Sequence, residues 1–358
     1  MSEQIQDDMI SRLSLSDSKA VVVLGMHRSG TSLITRSLEA CGVQLGHRLI
    51  AGGRDNEKGY FEDAAINQLN ENILSEMERA WYSILLPEIE SDVRSSYVEK
   101  GLSVLRSGFL GMKTWAVKEP RITRLHFIWE RIFELSGADV HYLLANRHPF
   151  SVAASLARRD QISRLHALVL WLIHQAAGLQ TILAHGGIVV DYDLVMDRPS
   201  EQLDRIARYI DTQPTNPDEF ISGFIDKGLR HCNYSDASSQ PDANEIEKIA
   251  VRMYRFLRKA AENNSVLDAQ EAGLLLADIK SSLARNEDWL QAMDRIALLQ
   301  HRQDMAKQTI LAEQMEDMRK VILRQESRIT WMEGRFFYSW PRKVRRLLAN
   351  SLETNRLA

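Results

Sequence analysis

Four short apolar runs stand out in the first part of this chain. They cover Ala20 to Leu24, Trp115 to Val117, Val140 to Ala145 and Ile188 to Val190. Each run is continuous rather than alternating, which is typical of strands buried on both faces of a parallel sheet. Between them, apolar residues recur at helical spacing over 63–79, 122–136 and 150–185. This order predicts an α/β fold with a doubly wound, mainly parallel sheet.

The pattern changes at about Asp242, where glycine and proline become scarce and the chain reads as continuous helix to about Trp340. Apolar positions there follow alternating spacings of four and three, as in a heptad seam. The seam comprises Leu311, Met315, Met318, Ile322, Gln325, Ile329, Met332 and Phe336, and a similar seam from Trp289 to Ile310 precedes it with a one-position slip in phase. We therefore predict a coiled coil and, through it, a homo-oligomer.

These patterns divide the chain into five segments. They are a polar lead-in (1–18), an α/β domain (19–240), a helical extension (241–287), a coiled coil (288–337) and a basic amphipathic tail (338–358). The tail has the composition of a helix that contacts an anionic membrane surface, and a solvated helix end explains it equally well.

Composition narrows the function classes. The hydrophobic content of 44% is normal for a globular protein, and a formal charge of -3 gives no general attraction to nucleic acid. The two cysteines, Cys41 and Cys232, lie far apart and the histidines are not clustered, which predicts neither a zinc site nor a disulfide framework. The first residues do not resemble a signal peptide, so we expect a cytoplasmic protein, with contact at the inner membrane surface as the alternative.

The loop after the first apolar run has the layout of a P-loop-like phosphate-binding loop. It reads Gly25-Met26-His27-Arg28-Ser29-Gly30-Thr31-Ser32 and leads into a helical segment, so its backbone amides should bind an anion. A nucleoside-triphosphate loop has lysine after its second glycine, whereas Thr31 follows Gly30 here. The nearest cation, Arg28, lies inside the loop. The loop therefore fits a phosphate group better than a triphosphate.

Polar residues also follow the other three apolar runs. They are Lys118-Glu119-Pro120-Arg121, Asn146-Arg147-His148-Pro149 and Asp191-Tyr192-Asp193. Ligands of doubly wound sheets bind outside the carboxyl ends of the strands. The sequence therefore predicts a positively charged pocket at that edge of the sheet.

Five segments occur in order between about residues 18 and 235. They are GMHRSGTS (25–32), DNEKGYFED (55–63), WAVKEPR (115–121), NRHPFSVAASLARRD (146–160) and VDYDLVMDRP (190–199). Together they resemble the core of the sulfotransferases that use 3′-phosphoadenosine 5′-phosphosulfate, in particular the bacterial branch that acts on carbohydrate or lipid-linked hydroxyls. The resemblance implies transfer of a sulfuryl group to a hydroxyl of a glycan, glycolipid or small metabolite, with no metal required.

The resemblance also implies roles for individual residues. The loop residues His27, Arg28, Ser29, Gly30, Thr31 and Ser32 would cradle the 5′-phosphosulfate, with Arg28 neutralising the charge that grows on the leaving group. Arg147 and Ser155, eight positions apart, would bind the 3′-phosphate. Lys118 would lie near the sulfuryl group. Tyr192 would lie near the adenine, although a tyrosine that packs the sheet is an equally good account. Independently of the resemblance, Arg230 with His231, in the less regular stretch 213–240, could close over the cofactor.

The transfer also needs a general base for the acceptor hydroxyl. The candidates are Glu57, Glu62, Glu119, His27 and His126. The resemblance favours Glu62, and Glu57 aligns about as well under a small shift. Trp81, Tyr82 and Trp115 could stack on sugar rings, although aromatic residues at such spacing are more often part of a core.

Two other functions compete with this interpretation. The first is a phosphate-loop kinase or nucleotidase, in which Asp191 would hold magnesium. The missing lysine after Gly30 and the Arg147/Ser155 pair argue against it. The second is a non-catalytic scaffold, in which a cofactor-binding domain is assembled by the coiled coil.

Overall fold

A computed structural model describes residues 15–53, 59–225, 244–263 and 267–339. Contacts divide the chain into two compact units, Met1–Ile296 and Ala297–Ala358. Several sequence-based predictions lie outside the described residues: the first part of the lead-in, Glu57, Arg230 with His231, and the basic tail from Trp340 onward.

The first unit contains a four-stranded parallel sheet. Its strands are β1 (Lys19–Leu24), β2 (Thr114–Lys118), β3 (Asp139–Asn146) and β4 (Ile188–Asp191), in the order β2-β1-β3-β4. Every described strand pair is parallel, so the sheet is parallel throughout rather than mainly so. The chain passes from β1 to β2 on one side and then crosses back to β3 on the other. The predicted doubly wound α/β fold is confirmed, and β1 lies at the point where the strand order reverses.

Helices connect and follow the strands. They are α1 (Thr31–Ala40), α2 (Ala64–Glu76), α3 (Ser91–Phe109), α4 (His126–Ser136), α5 (Pro149–Asp160), α6 (Arg164–His185), α7 (Tyr192–Asp197), α8 (Pro199–Tyr209), α9 (Pro217–Phe224), α10 (Glu245–Asn263), α11 (Ala269–Arg285) and α12 (Glu287–Ser339). A short 3-10 turn, Pro120–Thr123, lies between β2 and α4.

Two predicted continuous helices are interrupted in the structure. The segment 150–185 breaks between α5 and α6, where Gln161 adopts a left-handed φ of 56° and the Ser163 side chain accepts a hydrogen bond from His166 N. The helical stretch from Asp242 breaks before α11, which Asp268 caps by accepting from Gln270 N and Glu271 N. Short polar side chains compete for backbone hydrogen bonds in this way and so favour helix ends over helix interiors.

The sheet is buried between helices. One cluster joins side chains of β1, β3 and β4 to α1 and α8. From α6, Gly178 lies so close to Leu144 that a Cβ would come within 2.4 Å of Leu144 Cδ1, and Gln175 Nε2 donates to Ala145 O at 3.0 Å. Helix α6 is long and apolar enough to cross a membrane, but 67% of its apolar window is buried inside the protein. Packing in the core therefore accounts for its composition.

The second unit contains the part of α12 from Ala297 to Ser339. Side chains of the predicted seam that are described there lie 50–64% exposed on the single chain: Leu299, Ile310, Leu311, Met315, Met318 and Ile322. The structure does not describe the side chains of the remaining seam residues Ile329, Met332 and Phe336. The coiled coil stays a prediction.

Candidate active site

The loop between β1 and α1 is shaped by two glycines. Gly25 has a φ of 135°, and a Cβ there would lie 3.0 Å from Ala145 Cβ and 3.1 Å from Ala145 O. Gly30 has a φ of 86°, and a Cβ there would lie 2.5 Å from Cδ2 of Tyr192. Both positions therefore require glycine, because a side chain would be strained and would collide with a neighbour. The loop is held against β3 on one side and against Tyr192 on the other.

The loop ends at a helix N-terminus that no described side chain caps. Gly30 is the N-cap of α1, and Thr31 and Ser32 are its first residues. The first amides of a helix have no partner within the helix, and the helix dipole gives this end a partial positive charge. An anion at this position would accept hydrogen bonds from those amides.

Ser29 and His27 add buried polar atoms to the loop. Ser29 is fully buried, and its Oγ has no hydrogen-bond partner among the described residues. The same is true of His27 Nε2. A buried polar group without a partner costs about 1–3 kcal/mol, so a bound group that pairs with it is favoured. The Ser29 hydroxyl can donate to a phosphate or sulfate oxygen, so the loop's own residues fit such a group.

The environment of His27 makes it a poor base. Burial, followed by the charges of Arg121 and Arg159, lowers the pKa of His27 well below its usual range. Its ring packs on Trp81, with ring centroids 4.6 Å apart. The imidazole is therefore neutral at neutral pH and gains a proton only at low pH. Trp81 is half-buried beside the loop, whereas Tyr82 and Trp115 are buried and belong to the core.

Three predicted cofactor residues from different elements meet at this edge of the sheet. Arg28, with a left-handed φ of 67°, donates from Nε to Oγ of Ser155 on α5 at 2.8 Å. Arg147, which follows β3, donates from Nη1 to the carbonyl oxygen of Arg28 at 3.0 Å. The spacing of eight between Arg147 and Ser155 thus brings both residues to the same loop.

Tyr192, the residue that follows β4, packs against this group. It is buried at the start of α7, and the Arg147 guanidinium lies 4.2 Å from the centroid of its ring. The same ring contacts Gly30. These contacts agree with the packing interpretation of Tyr192, which orients Arg147 and the loop together.

Two predicted catalytic residues form a buried ion pair. Lys118 ends β2, Glu62 lies two residues before α2, and Lys118 Nζ is 2.7 Å from Glu62 Oε1. Asn67 Nδ2 donates to the other carboxylate oxygen of Glu62 at 3.3 Å. Burial lowers the pKa of Lys118, while the charge of Glu62 opposes this shift. The structure thus brings together an ammonium group and a carboxylate from residues that lie far apart in the sequence.

Glu119, another candidate base, belongs to a structural network. It is fully buried, Arg121 donates to its Oε1 and Asn70 donates to its Oε2. Asn70 in turn accepts from Trp129 Nε1 at 2.7 Å, and Arg121 also pairs with Glu71. Burial raises the pKa of Glu119 to about 7, against the effect of Arg121. Because Arg121 and Asn70 donate to its two oxygens, both oxygens of Glu119 already accept hydrogen bonds.

Asp191 has a structural role that sequence reasoning did not predict. It is fully buried and caps α7, because Oδ1 accepts from Asp193 N at 3.1 Å and Leu194 N at 3.2 Å, while Asn146 Nδ2 donates to Oδ2 at 2.9 Å. Arg258 of α10 completes the set, with Nη1 at 3.0 Å from Oδ1. The only sequence signal for Arg258 was its position on an amphipathic helix, which names no partner.

Comparisons with known proteins give distant structural similarity alone. No family model matches this chain, and no curated protein matches it. The solved structures to which it is similar include the sulfotransferase domain of the olefin synthase from Synechococcus PCC 7002, at 16% identity over 68% of this chain and 96% of that chain, with a TM-score of 0.41. They also include the sulfotransferase STF9 from Mycobacterium avium, at 16% identity over 63% of this chain and 73% of that chain, with a TM-score of 0.37.

A third similar structure has another activity. It is a sugar kinase from Janibacter sp. HTCC2649, at 16% identity over 55% of this chain and 96% of that chain, with a TM-score of 0.30. At such identities and TM-scores these similarities do not identify an activity. Function is therefore inferred from the chain's own residues.

Proposed function

We propose that this chain is a sulfotransferase that moves a sulfuryl group from 3′-phosphoadenosine 5′-phosphosulfate to a hydroxyl of a glycan or glycolipid. The observation that carries the proposal is the contact between Arg28 of the loop and Ser155 of α5, with Arg147 bonded to the same loop residue. This contact links two anion positions. The N-terminus of α1 suits one anion, and Arg147 with Ser155 suits a second. A donor with phosphate groups at both ends matches this arrangement.

The loop would bind the 5′ end of the donor. The amides at the start of α1 and the Ser29 hydroxyl donate hydrogen bonds, and Arg28 supplies a fixed positive charge. The donor itself supplies an activated sulfuryl group and a bisphosphate leaving group. Arg28 stabilises negative charge that develops beside the loop, and as arginine it does so electrostatically rather than by giving up a proton.

Arg147 and Ser155 would bind the 3′-phosphate. The stacking of Arg147 on Tyr192 fixes the plane of its guanidinium, which favours a two-point contact with phosphate oxygens. Ser155 has a hydroxyl that can donate to the same group. This second anion position is what distinguishes the proposed donor from ATP.

Glu62 is the general base in this proposal. Its carboxylate can accept the proton of an acceptor hydroxyl, a role that typically contributes ~10²–10⁴-fold to a rate. Lys118, 2.7 Å away, provides positive charge beside the same position. Glu57 is the alternative base and lies outside the described residues.

The surroundings of Asp191 weigh against the kinase alternative. A magnesium-holding aspartate needs carboxylate oxygens that reach the metal, whereas both oxygens of Asp191 bond to Asn146, Arg258 and the first amides of α7. The scaffold alternative retains the fold and the anion site but predicts no turnover.

We also propose that α12 assembles the chain into a homo-oligomer, most simply a parallel dimer. Apolar side chains at heptad spacing, half or more exposed on one chain, would be buried against a second copy.

A thermal-shift comparison tests the proposed function. Adenosine 3′,5′-bisphosphate should raise the melting temperature of the full-length protein more than 5′-AMP does at equal concentration, because only the bisphosphate occupies both anion positions. Stabilisation by ATP with magnesium alone would reject the proposal in favour of the kinase. Stabilisation by the bisphosphate without sulfuryl transfer to any hydroxyl acceptor from a glycan panel would favour the scaffold.

A further inference from the structure

Outside the candidate active site, two histidines and a glutamate converge on one face of the α/β unit. His126 and Glu130 lie on α4, and His185 is the last residue of α6. One possible ligand atom from each residue can be chosen so that all three lie within 4.8 Å of one another. None of the three belongs to the candidate active site.

Local structure brings these side chains together. His126 and Glu130 are four positions apart on α4, so they share one face of the helix. His185 is placed by the turn after α6, where Gly186 has a φ of 81° and a Cβ on Gly187 would lie 2.9 Å from Tyr142 O. Only glycines fit this turn, and it fixes the end of α6 beside β3.

The spacing of the polar atoms suits a small cation. His185 Nε2 lies 2.8 Å from Glu130 Oε1, and the rings of His126 and His185 have centroids 5.6 Å apart. Zinc binds histidine nitrogen and carboxylate oxygen at about 2.0–2.2 Å, which places its ligand atoms roughly 3.4 Å apart in a tetrahedral site. Rotations of half-exposed side chains can close the remaining difference.

We propose that His126, Glu130 and His185 form a zinc site that joins the first two turns of α4 to the end of α6. Two imidazoles and a carboxylate, with water in the fourth position, are a ligand set that zinc accepts. Tyr142, whose hydroxyl is 3.2 Å from His126 Nε2, lies within reach to orient that ring. The sequence analysis predicted no zinc site. His185 is distant in the sequence from His126 and Glu130, and only the fold brings it to them.

A simpler explanation is an ion pair between His185 and Glu130 without a metal. Their side chains are 33% and 42% exposed, and exposed ion pairs contribute little to stability. In that explanation His126 pairs with the Tyr142 hydroxyl and takes no part in the ion pair. The two explanations differ in whether all three residues act together on a metal.

Zinc titration of the full-length protein separates them. After dialysis against a chelator, the native protein should bind one zinc per chain in competition with a chromogenic indicator, and cobalt in its place should give the intense visible absorption of a tetrahedral site. His185→Ala and Glu130→Gln should each weaken zinc binding at least tenfold. Both side chains are partly exposed, so these variants should fold, which circular dichroism will verify.

His141→Ala is the matched control. His141 Nε2 lies 2.9 Å from Asp139 Oδ2, which is a histidine–carboxylate pair without a described third ligand. This variant should bind zinc within twofold of the native protein. Zinc should also raise the melting temperature of the native protein and of His141→Ala by similar amounts, and that of the other two variants by less at the same zinc concentration. The proposal is overturned if the native protein binds no zinc or if His185→Ala and Glu130→Gln bind it as tightly as the control.

Discussion

Arg258 Nη1 lies 3.0 Å from Oδ1 of Asp191, and this contact joins α10 to the end of the edge strand β4. Asp191 is fully buried, while the side chain of Arg258 is 26% exposed. Burial raises the pKa of Asp191 to about 7, against the opposing charge of Arg258. The first compact unit runs to Ile296, so the helix that carries Arg258 lies inside it.

Arg258→Gln should destabilise the protein by about 3 kcal/mol at pH 8, because it leaves a buried carboxylate without its cation. The loss should be smaller at pH 5.5, where Asp191 can take up a proton. This direction of the pH dependence follows from linkage between protonation and folding. A carboxyl whose folded-state pKa is raised loses its contribution to stability as pH rises through that pKa. Urea denaturation at the two pH values measures the difference.

Arg252→Gln is the control for this prediction. Arg252 lies on the same helix and pairs with Asp278 at 2.9 Å, but both side chains are more than half exposed. Its replacement should cost less than about 0.5 kcal/mol at either pH. Equal losses in the two variants would show that the Asp191 contact has no special weight.

Arg147→Ala should weaken adenosine 3′,5′-bisphosphate binding by about 10- to 100-fold, as expected for the loss of charge-assisted hydrogen bonds. Binding of 5′-AMP should fall much less, because it lacks the 3′-phosphate. Calorimetric titration measures both ligands. Arg158→Ala, on the exposed side of the following helix, should change neither affinity. A proportional loss for both ligands would instead mean that Arg147 acts only by holding the carbonyl of Arg28.

Glu62→Gln should lower sulfuryl transfer by about 10²–10⁴-fold and leave bisphosphate affinity within about threefold. The substitution also leaves Lys118 buried without its carboxylate, so turnover must be measured well below the variant's melting temperature. Glu71→Gln is the matched control, since Glu71 lies on α2 and pairs with Arg121 instead. If turnover survives in Glu62→Gln, the assignment of the base moves to Glu57.

The sequence predicted the sheet well because buried parallel strands appear as continuous apolar runs, as Ala20 to Leu24 does. The resemblance to the sulfotransferases, rather than the apolar pattern, paired Arg147 with Ser155. In the structure both residues contact Arg28, and their role in binding a phosphate stays a prediction. The sequence could not predict the Lys118–Glu62 or Arg258–Asp191 pairs. Each joins elements far apart in the chain, and a charged residue in a helix carries no record of its partner.

Met315→Asp combined with Ile322→Asp should convert the proposed dimer to monomers and halve the mass measured by light scattering. Both side chains are at least half exposed on the single chain, so the fold of the first unit should be unaffected. Lys320→Asp with Arg324→Asp places the same two aspartates away from the seam and should keep the dimer mass. A native protein that is already monomeric at micromolar concentration would contradict the coiled-coil proposal.

His174 should make the protein less stable in mild acid. It is buried in α6, its Nδ1 lies 2.7 Å from Leu170 O, and burial lowers its pKa to about 3. Between pH 7 and pH 5 the unfolded chain gains a proton on this histidine while the folded chain does not. A histidine whose folded-state pKa is depressed contributes stability at pH values above its unfolded-state pKa, and this contribution is lost as pH falls. The free energy of unfolding should therefore fall by about 2 kcal/mol between pH 7 and pH 5.

His174→Gln removes this titration and keeps a polar side chain of similar length. Urea denaturation at pH 7, 6 and 5 should show that the loss of stability over this range is about 2 kcal/mol smaller in the variant than in the native protein. The absolute stability of the variant at pH 7 does not enter the comparison, because only the dependence on pH is used. His47→Gln, at an exposed position, should reproduce the native pH dependence. Parallel pH profiles for His174→Gln and the native protein would mean that His174 takes up its proton equally in the folded and unfolded chains.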